Sequence, residues 1–496
     1  MESAKMQVEK NAPLARVDER IFSSFLEHLG RAIYSGIYEP GHPEADRQGF
    51  REDVVRLVRE LNVSHVRYPG GNFLSGYDWK DGIGPREDRP RRLELAWKSI
   101  ETNQFGMDEF YDWSRKAGTK IMGAVNMGTG TPKEAGELLE YCNFPGGTYW
   151  SDLRAKNGHR DPMDIKLWCL GNEMDGSWQI CHLDMDDYGK KALETAKIMK
   201  WVDPSVELTV CGSSGAEQDT FPSWDRTVLE YTYDLADYIS LHRYYENHGN
   251  DLDFLASFVD MDRFIQTVVS TADYVKAEKR SGKTINLSFD EWNVWYQSKD
   301  QPHDWMEAPA ILEDHYSLLD ALVFAGLGMT LLNHADRVKI ACLAQLVNVI
   351  APIYTRKGGG VLRQTIFYPF RDLSVYGRGT VLKPAVTCRT VETRYGGAPL
   401  LYSSAAWNGE AEGLTVFCLN IGREPMNLGL SLRSFGRMAL SEHICLNGPD
   451  TGAVNTFENP ERVAPRRLPT ENKAGDSFEI ALPGLSWNVL RFQPTE

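Results

Sequence analysis

The chain has 496 residues, more than one compact hydrophobic core usually supports, so two domains are expected. With 42% hydrophobic and 25% charged residues it is globular in composition, and its net charge of -15 argues against nucleic acid or an anionic membrane as partner, since both call for a dense basic surface. No apolar run is long enough to span a bilayer, the charged N-terminal stretch lacks the apolar core of a secretory signal, and 8 cysteines are too sparse for a disulfide scaffold. A cytoplasmic location is the expectation.

Residues 5–10 alternate weakly before Pro13 and read as an edge strand or a tail. A repeated rhythm begins at 21. The strand-like run 21–25 leads to a loop with Glu27 and His28, and the helical period of 50–61 leads to a strand ending at Arg67 that breaks at Pro69, Gly70 and Gly71. Helix 107–117 is followed by strand 120–126, and helix 132–142, capped by Thr131 ahead of Pro132, is followed by strand 165–173. The pattern goes on with helix 185–201, strand 207–211, helix 224–236, strand 238–244, helix 261–279, a strand ending at Glu291, helix 310–326 and strand 338–346.

Strands alternating with helices in this way predict an α/β fold, a (β/α)8 TIM barrel over residues 15–370, with a doubly wound sheet as the structural rival. Past about 370 the runs become short, alternating and broken by Gly, Asn and Pro. They predict a C-terminal antiparallel β-sandwich of jelly-roll type over 371–496, which an N-terminal strand in 1–14 joins.

Two strands share one design. The apolar runs 165–173 and 284–292 each deliver an acid at their C-terminal end, Glu173 and Glu291. Glu27, His28, Arg67, Asn72, Asn126, Asn172, the Ser213 loop, His242, Tyr244 and Gln345 fall at other strand ends, and the C-terminal face of a barrel is where sites are built. A pair of carboxyls suits glycoside cleavage, in which one protonated acid serves the leaving oxygen and one ionised carboxylate attacks the anomeric carbon. No GxGxxG, HExxH, GxSxG or zinc-site spacing of His and Cys occurs, so no cofactor or metal is expected.

The segments LGNEMDG at 170–176, SFDEWNVWY at 288–296, FLEHLGRAIYSGIY at 25–38 and VRYPGGNF at 66–73 resemble the intracellular alpha-L-arabinofuranosidases of glycoside hydrolase family 51. The resemblance runs through nearly the whole chain. It implies a retaining, exo-acting hydrolase that removes terminal non-reducing alpha-L-arabinofuranosyl units from oligosaccharides of arabinoxylan and arabinan. By the same resemblance Glu173 is the acid/base and Glu291 the nucleophile, Asn172 binds the 2-hydroxyl, Tyr244 positions the nucleophile, and Glu27, Arg67, Asn72 and Gln345 hold the furanose. A homo-oligomer, a hexamer built from sandwich and barrel, is also implied.

Arg67 offers a rigid fork of donors suited to bridging Glu27 or Glu291 and a hydroxyl. Of Trp79, Trp97, Trp178, Trp292 and Trp295, all in or near predicted loops, Trp97 and Trp178 are expected on the leaving-group side and the other three in packing. Two rivals remain open on the residues alone: another retaining barrel glycosidase, such as an endo-glucanase or xylosidase, and a carbohydrate-binding protein that works through its sandwich.

Overall fold

Eight short apolar strands pair side by side into a closed barrel in the computed structural model, which describes residues 2–298, 303–470 and 474–495. They are β1 (Ser23–Phe25), β2 (His65–Tyr68), β3 (Lys120–Val125), β4 (Leu167–Leu170), β5 (Glu207–Val210), β6 (Tyr238–Tyr245), β7 (Asn286–Val294) and β8 (Val338–Leu343). All pair in parallel and in chain order around the ring, with β8 closing onto β1.

Helices fill the connections, as parallel pairing demands. The helix Pro132–Asn143 starts where its sequence says it should: Thr131 accepts from the Glu134 N–H, and the Glu134 carboxylate accepts from the Thr131 N–H.

One helix lies elsewhere than expected. The segment read as helix 310–326 is a loop up to Ser317, whose side chain caps the helix Leu318–Asn333 by accepting from the Asp320 N–H. Residues 318–332 are buried on every side of this helix, between the barrel and strands of the second sheet system. A helix apolar all round carries no polar stripe to mark its start.

A second correction concerns 373–379, which falls among the short runs past 370 expected in the sandwich. It is the end and exit of the helix Phe367–Tyr376, in which Phe367, Phe370, Leu373 and Ser374 are buried at helical spacing while Val375 is 41% exposed.

Among the described residues the remaining strands form a seven-stranded sheet, a four-stranded sheet and three two-stranded ones. They are antiparallel except where Glu2–Gln7 runs parallel to Met426–Ser431 in the four-stranded sheet. Pro13–Arg16 pairs with Thr380–Leu382 in the seven-stranded one, so the chain threads both sheets before it enters the barrel. Met426, Leu428 and Leu430 point inward and alternate with Asn427 and Gly429, as a half-buried strand requires. All 8 cysteines are free, and no helix among the described residues is long and apolar enough to cross a membrane.

Candidate active site

A slip in strand register builds the site. Ser240 of β6 pairs with Ser288 of β7, but two residues on, His242 pairs with Glu291, three residues further along β7. The β7–β8 pairing slips at the same place, between Phe289 and Trp292. The extra residue is a bulge, and it turns two consecutive acids, Asp290 and Glu291, toward the barrel interior instead of to opposite faces. Both are buried.

His242 stands between the acids. Its Nδ1 lies 2.9 Å from Oε1 of Glu173 and 3.6 Å from Oε2 of Glu291, while its Nε2 lies 2.9 Å from Oδ1 of Asp290. Burial works against a charged imidazole, yet Glu291, Asp290 and Glu173 together raise the His242 pKa well above its usual value. Burial would also raise the Asp290 carboxyl, but the bond from His242 and the charge of Arg67 hold it below the usual carboxylate value.

Glu291 is held from both sides. Arg67 donates from Nη1 to Oε1 at 2.7 Å, and the Tyr244 hydroxyl donates to Oε2 at 2.8 Å. Burial and then Glu291 push the Tyr244 phenol well above its usual pKa, which keeps it a donor. The other arm of the Arg67 fork donates to Oδ1 of Asn172 at 2.5 Å, and Asn172 donates on to Asn72 at 3.3 Å. Arg67 therefore bridges Glu291 and Asn172; Glu27 is held by other groups.

Glu173 follows Gly171, which takes φ +95°, and itself sits at φ +45°, a left-handed turn that lifts the carboxylate off the end of β4. Its Oε2 accepts from the Trp178 indole at 2.7 Å. Oxygen atoms of Glu173 and Glu291 and a His242 nitrogen all lie within 4.8 Å of one another. Such a trio has the spacing of a cation site, but both His242 nitrogens are engaged by carboxylates and its proton is strongly held, so the ring has no lone pair to offer a metal.

Glu27 is fully buried and accepts from the Phe73 N–H at 2.8 Å, the Trp97 indole at 2.9 Å and the Gln345 amide at 3.2 Å. Burial pushes its pKa up to about 8 against the Phe73 and Trp97 bonds, with Glu291 adding to the rise.

These groups face a cavity of about 540 Å³ at the C-terminal mouth of the barrel. Glu27, Asn72, Glu173, Tyr244, Glu291 and Gln345 line it, and Trp97, Trp178 and Trp295 form part of its wall. Arg67 and Asn172 are buried next to it, bonded to Glu291 and Asn72. A cleft of about 620 Å³ at the opposite end of the strands, where His65, Lys120, Leu167 and Glu207 begin β2 to β5, holds none of this chemistry.

Three strand-end candidates neither line the cavity nor bond to the two acids. His28 bonds to Glu101 and Tyr68 and stacks on Phe73, Asn126 braces its own turn through Thr129 and the Gly128 N–H, and Ser213 is bound to Asp225. Trp79 packs on Tyr141 and Trp150, and Trp292 on Phe324, whereas Trp295, expected in packing, reaches the cavity edge-on to Tyr244.

Sequence reasoning passed over Asp290, although an acid directly before Glu291 in an apolar run was a signal that a bulge or a partner had to be present. It also passed over Arg394 and Tyr395, which line the cavity from a stretch assigned to the sandwich and for which the sequence holds no cue.

A closed parallel barrel with two carboxyls this close at its C-terminal mouth defines a barrel glycoside hydrolase. The sequence matches the alpha-L-arabinofuranosidase 1 domain over residues 57–268 and the alpha-L-arabinofuranosidase C-terminal domain over 290–486. It is 51% identical, over 99% of each chain, to an intracellular exo-alpha-(1->5)-L-arabinofuranosidase of Bacillus subtilis strain 168. To an exo-alpha-(1->6)-L-arabinofuranosidase of Bifidobacterium longum it is 47% identical, over 99% of this chain and 97% of the other. The solved structure of a family 51 alpha-L-arabinofuranosidase from Bifidobacterium longum superposes with a TM-score of 0.96 at 45% identity, covering 99% of this chain and 100% of that one.

The chain belongs to the alpha-L-arabinofuranosidases of glycoside hydrolase family 51. It is an exo-acting enzyme that hydrolyses terminal alpha-L-arabinofuranosyl residues.

Proposed function

We propose that Glu173 is the general acid/base and Glu291 the nucleophile of a double displacement that retains anomeric configuration. The observation that carries this is their approach to within 4.8 Å around His242, which fits the roughly 5–5.5 Å between carboxyls of retaining enzymes and falls short of the wider gap an inverting enzyme leaves for water. Glu291 attacks the anomeric carbon as the carboxylate nucleophile, held in place by Arg67 and Tyr244. Glu173 gives its proton to the departing oxygen and then takes one from the water that releases the sugar.

Asn172, oriented by Arg67, meets the 2-hydroxyl, and Glu27, Asn72 and Gln345 bind the other furanose hydroxyls. Glu27, protonated at neutral pH, adds a donor without adding charge beside Glu291. Trp97 and Trp178 flank the leaving group. The substrates are arabinan- and arabinoxylan-derived oligosaccharides, with alpha-1,5 bonds favoured because the Bacillus subtilis relative is named for that linkage, and the setting is intracellular as that name has it. Chemistry resides in the 15–370 barrel, and the 371–496 sandwich with the 1–14 strand supports it. A homo-oligomer, a hexamer, rests on the family resemblance alone.

Hydrolysis of 4-nitrophenyl alpha-L-arabinofuranoside by Glu173→Ala and Glu291→Ala, with and without azide, tests the roles. Both variants are expected to lose most activity. Azide should restore turnover of the first as the alpha-arabinosyl azide and of the second as the beta anomer. Near-wild-type turnover by either variant, or the opposite pairing of anomers, overturns the assignment.

A further inference from the structure

Among the described residues, every one that lines the active cavity comes from the barrel and its loops except two, Arg394 and Tyr395. They are the two-residue turn of a hairpin that pairs Thr390–Thr393 with Gly396–Pro399, Thr393 facing Gly396. The turn is built to hold its shape. Gly396 takes φ +93°, which L side chains rarely adopt, and a Cβ there would come within 3.1 Å of the Arg263 guanidinium. Thr393 Oγ1 donates to the Gly396 carbonyl at 2.6 Å and accepts from the Tyr395 N–H at 3.2 Å.

The turn is also fixed to the barrel. The Arg394 N–H donates to Asp253 at 2.9 Å, in the short helix Asp251–Leu255 that follows β6, and the half-buried Tyr395 packs on the core. This places the turn beside the segment after β6, and the loops after β4, β5 and β6 bring Trp178, Glu217 and Glu246 to the same cavity. Glu27, Asn72 and Gln345 follow β1, β2 and β8, on the opposite arc of the ring. On the proposed function, Glu173 protonates the departing oxygen, so the leaving group extends over its own arc, toward the turn.

The chemistry at this edge is mixed in sign. Arg243 is committed to Glu217 and Asp260. Arg394 is exposed, lies with its guanidinium 5.2 Å from the Tyr395 ring centroid and makes no ion pair among the described residues. An open fork of donors that shares the cavity with the carboxylates of Glu217 and Glu246 matches vicinal hydroxyls, which both accept and donate, whereas a uronate can only accept and leaves those carboxylates without a donor. The cavity's 540 Å³ is more than one pentose fills.

We propose that the Arg394–Tyr395 turn is the outer wall of the leaving-group site, where Arg394 binds the hydroxyls of a neutral sugar beyond the cleaved bond, so that this hairpin sets the preference for oligosaccharides over short substrates. The inference rests on Glu173 being the acid of the proposed function.

The test uses the full-length enzyme and its Arg394→Ala, Arg394→Lys and Tyr395→Phe variants, with kcat and KM measured on 4-nitrophenyl alpha-L-arabinofuranoside, a linear alpha-1,5-arabinotriose and an arabinofuranosylated oligosaccharide bearing a uronate. The expected result is that Arg394→Ala lowers the ratio of kcat/KM on the triose to that on the nitrophenyl glycoside by about five- to tenfold, the worth of a lost hydrogen bond or two. Arg394→Lys should fall between, and Tyr395→Phe, which keeps the ring, should stay near wild type. An unchanged ratio overturns the proposal, whether both substrates fall together or neither does. A wild type that favours the uronate-bearing substrate, with the preference lost in Arg394→Ala, overturns the neutral-sugar assignment. Failure of the wild type on the nitrophenyl glycoside would instead count against the proposed function.

Discussion

Asp290 and His242 form a buried pair, Oδ1 to Nε2 at 2.9 Å, that anchors the imidazole from below while its other nitrogen faces Glu173. The pair exists because the β7 bulge lets Asp290 and Glu291 reach one ring. His242 is thereby fixed in position between the Asp290 carboxylate and the two carboxyls proposed as acid/base and nucleophile.

Removing the ring should be costly. His242→Ala leaves Asp290 buried with its charge uncompensated on that side, a loss of about 3–5 kcal/mol for a broken buried pair. Urea unfolding of His242→Ala, Asp290→Ala and the double variant measures it. The double variant is expected to recover part of the loss of the histidine variant; strict additivity would show that the two groups are not coupled.

Tyr244→Phe keeps the ring and deletes only the donor to Oε2 of Glu291. A bond to a charged acceptor is worth roughly 1.5–3 kcal/mol, so kcat/KM should drop by about ten- to a hundredfold with the fold intact. An unchanged kcat/KM would remove Tyr244 from the role of positioning the nucleophile.

Gly71 is required by proximity. A Cβ at this position would lie 2.6 Å from Oε2 of Glu27, a carboxyl already pinned by three donors. Gly71→Ala should displace Glu27, lower activity more than tenfold and cost about 1–3 kcal/mol of stability. Retention of both activity and Tm would mean that Glu27 yields freely.

Glu27 also predicts a pH dependence. Its folded pKa of about 8 lies above the ordinary 4.5, so the folded state holds the proton more tightly. The group favours folding at low pH and loses that contribution as pH rises through about 8. The Tm of Glu27→Gln relative to wild type should therefore shift in the variant's favour between pH 5 and pH 9. Thermal melts at matched ionic strength decide it, and the absence of any drift would mean that Glu27 is already ionised in the folded protein across this range.

The alternation of apolar strands and amphipathic helices made the barrel legible, because each strand is short, apolar and followed by a break, as in 165–173 and 120–126. Glu173 and Glu291 were legible for the same reason: a carboxylate at the end of a buried strand has few structural excuses. The boundaries of Leu318–Asn333 were not, since a helix buried all round lacks the periodic contrast that sequence reading depends on, and Phe367–Tyr376, a short apolar run with no side-chain cap at its start, reads as readily as a strand.

Local chemistry along the chain thus determined which residues are strands, which acids stand at their ends and which family pattern they fit. Tertiary structure alone decided how those acids are used. The β7 bulge that sends Asp290 and Glu291 to one histidine, the Trp97 indole that bonds Glu27, and the Arg394–Tyr395 turn that reaches the cavity from a distant stretch all depend on contacts between residues far apart in sequence. Periodicity reports the faces of each strand and helix; a bulge, a loop's reach and a side chain's partner are settled only when those elements close around one another.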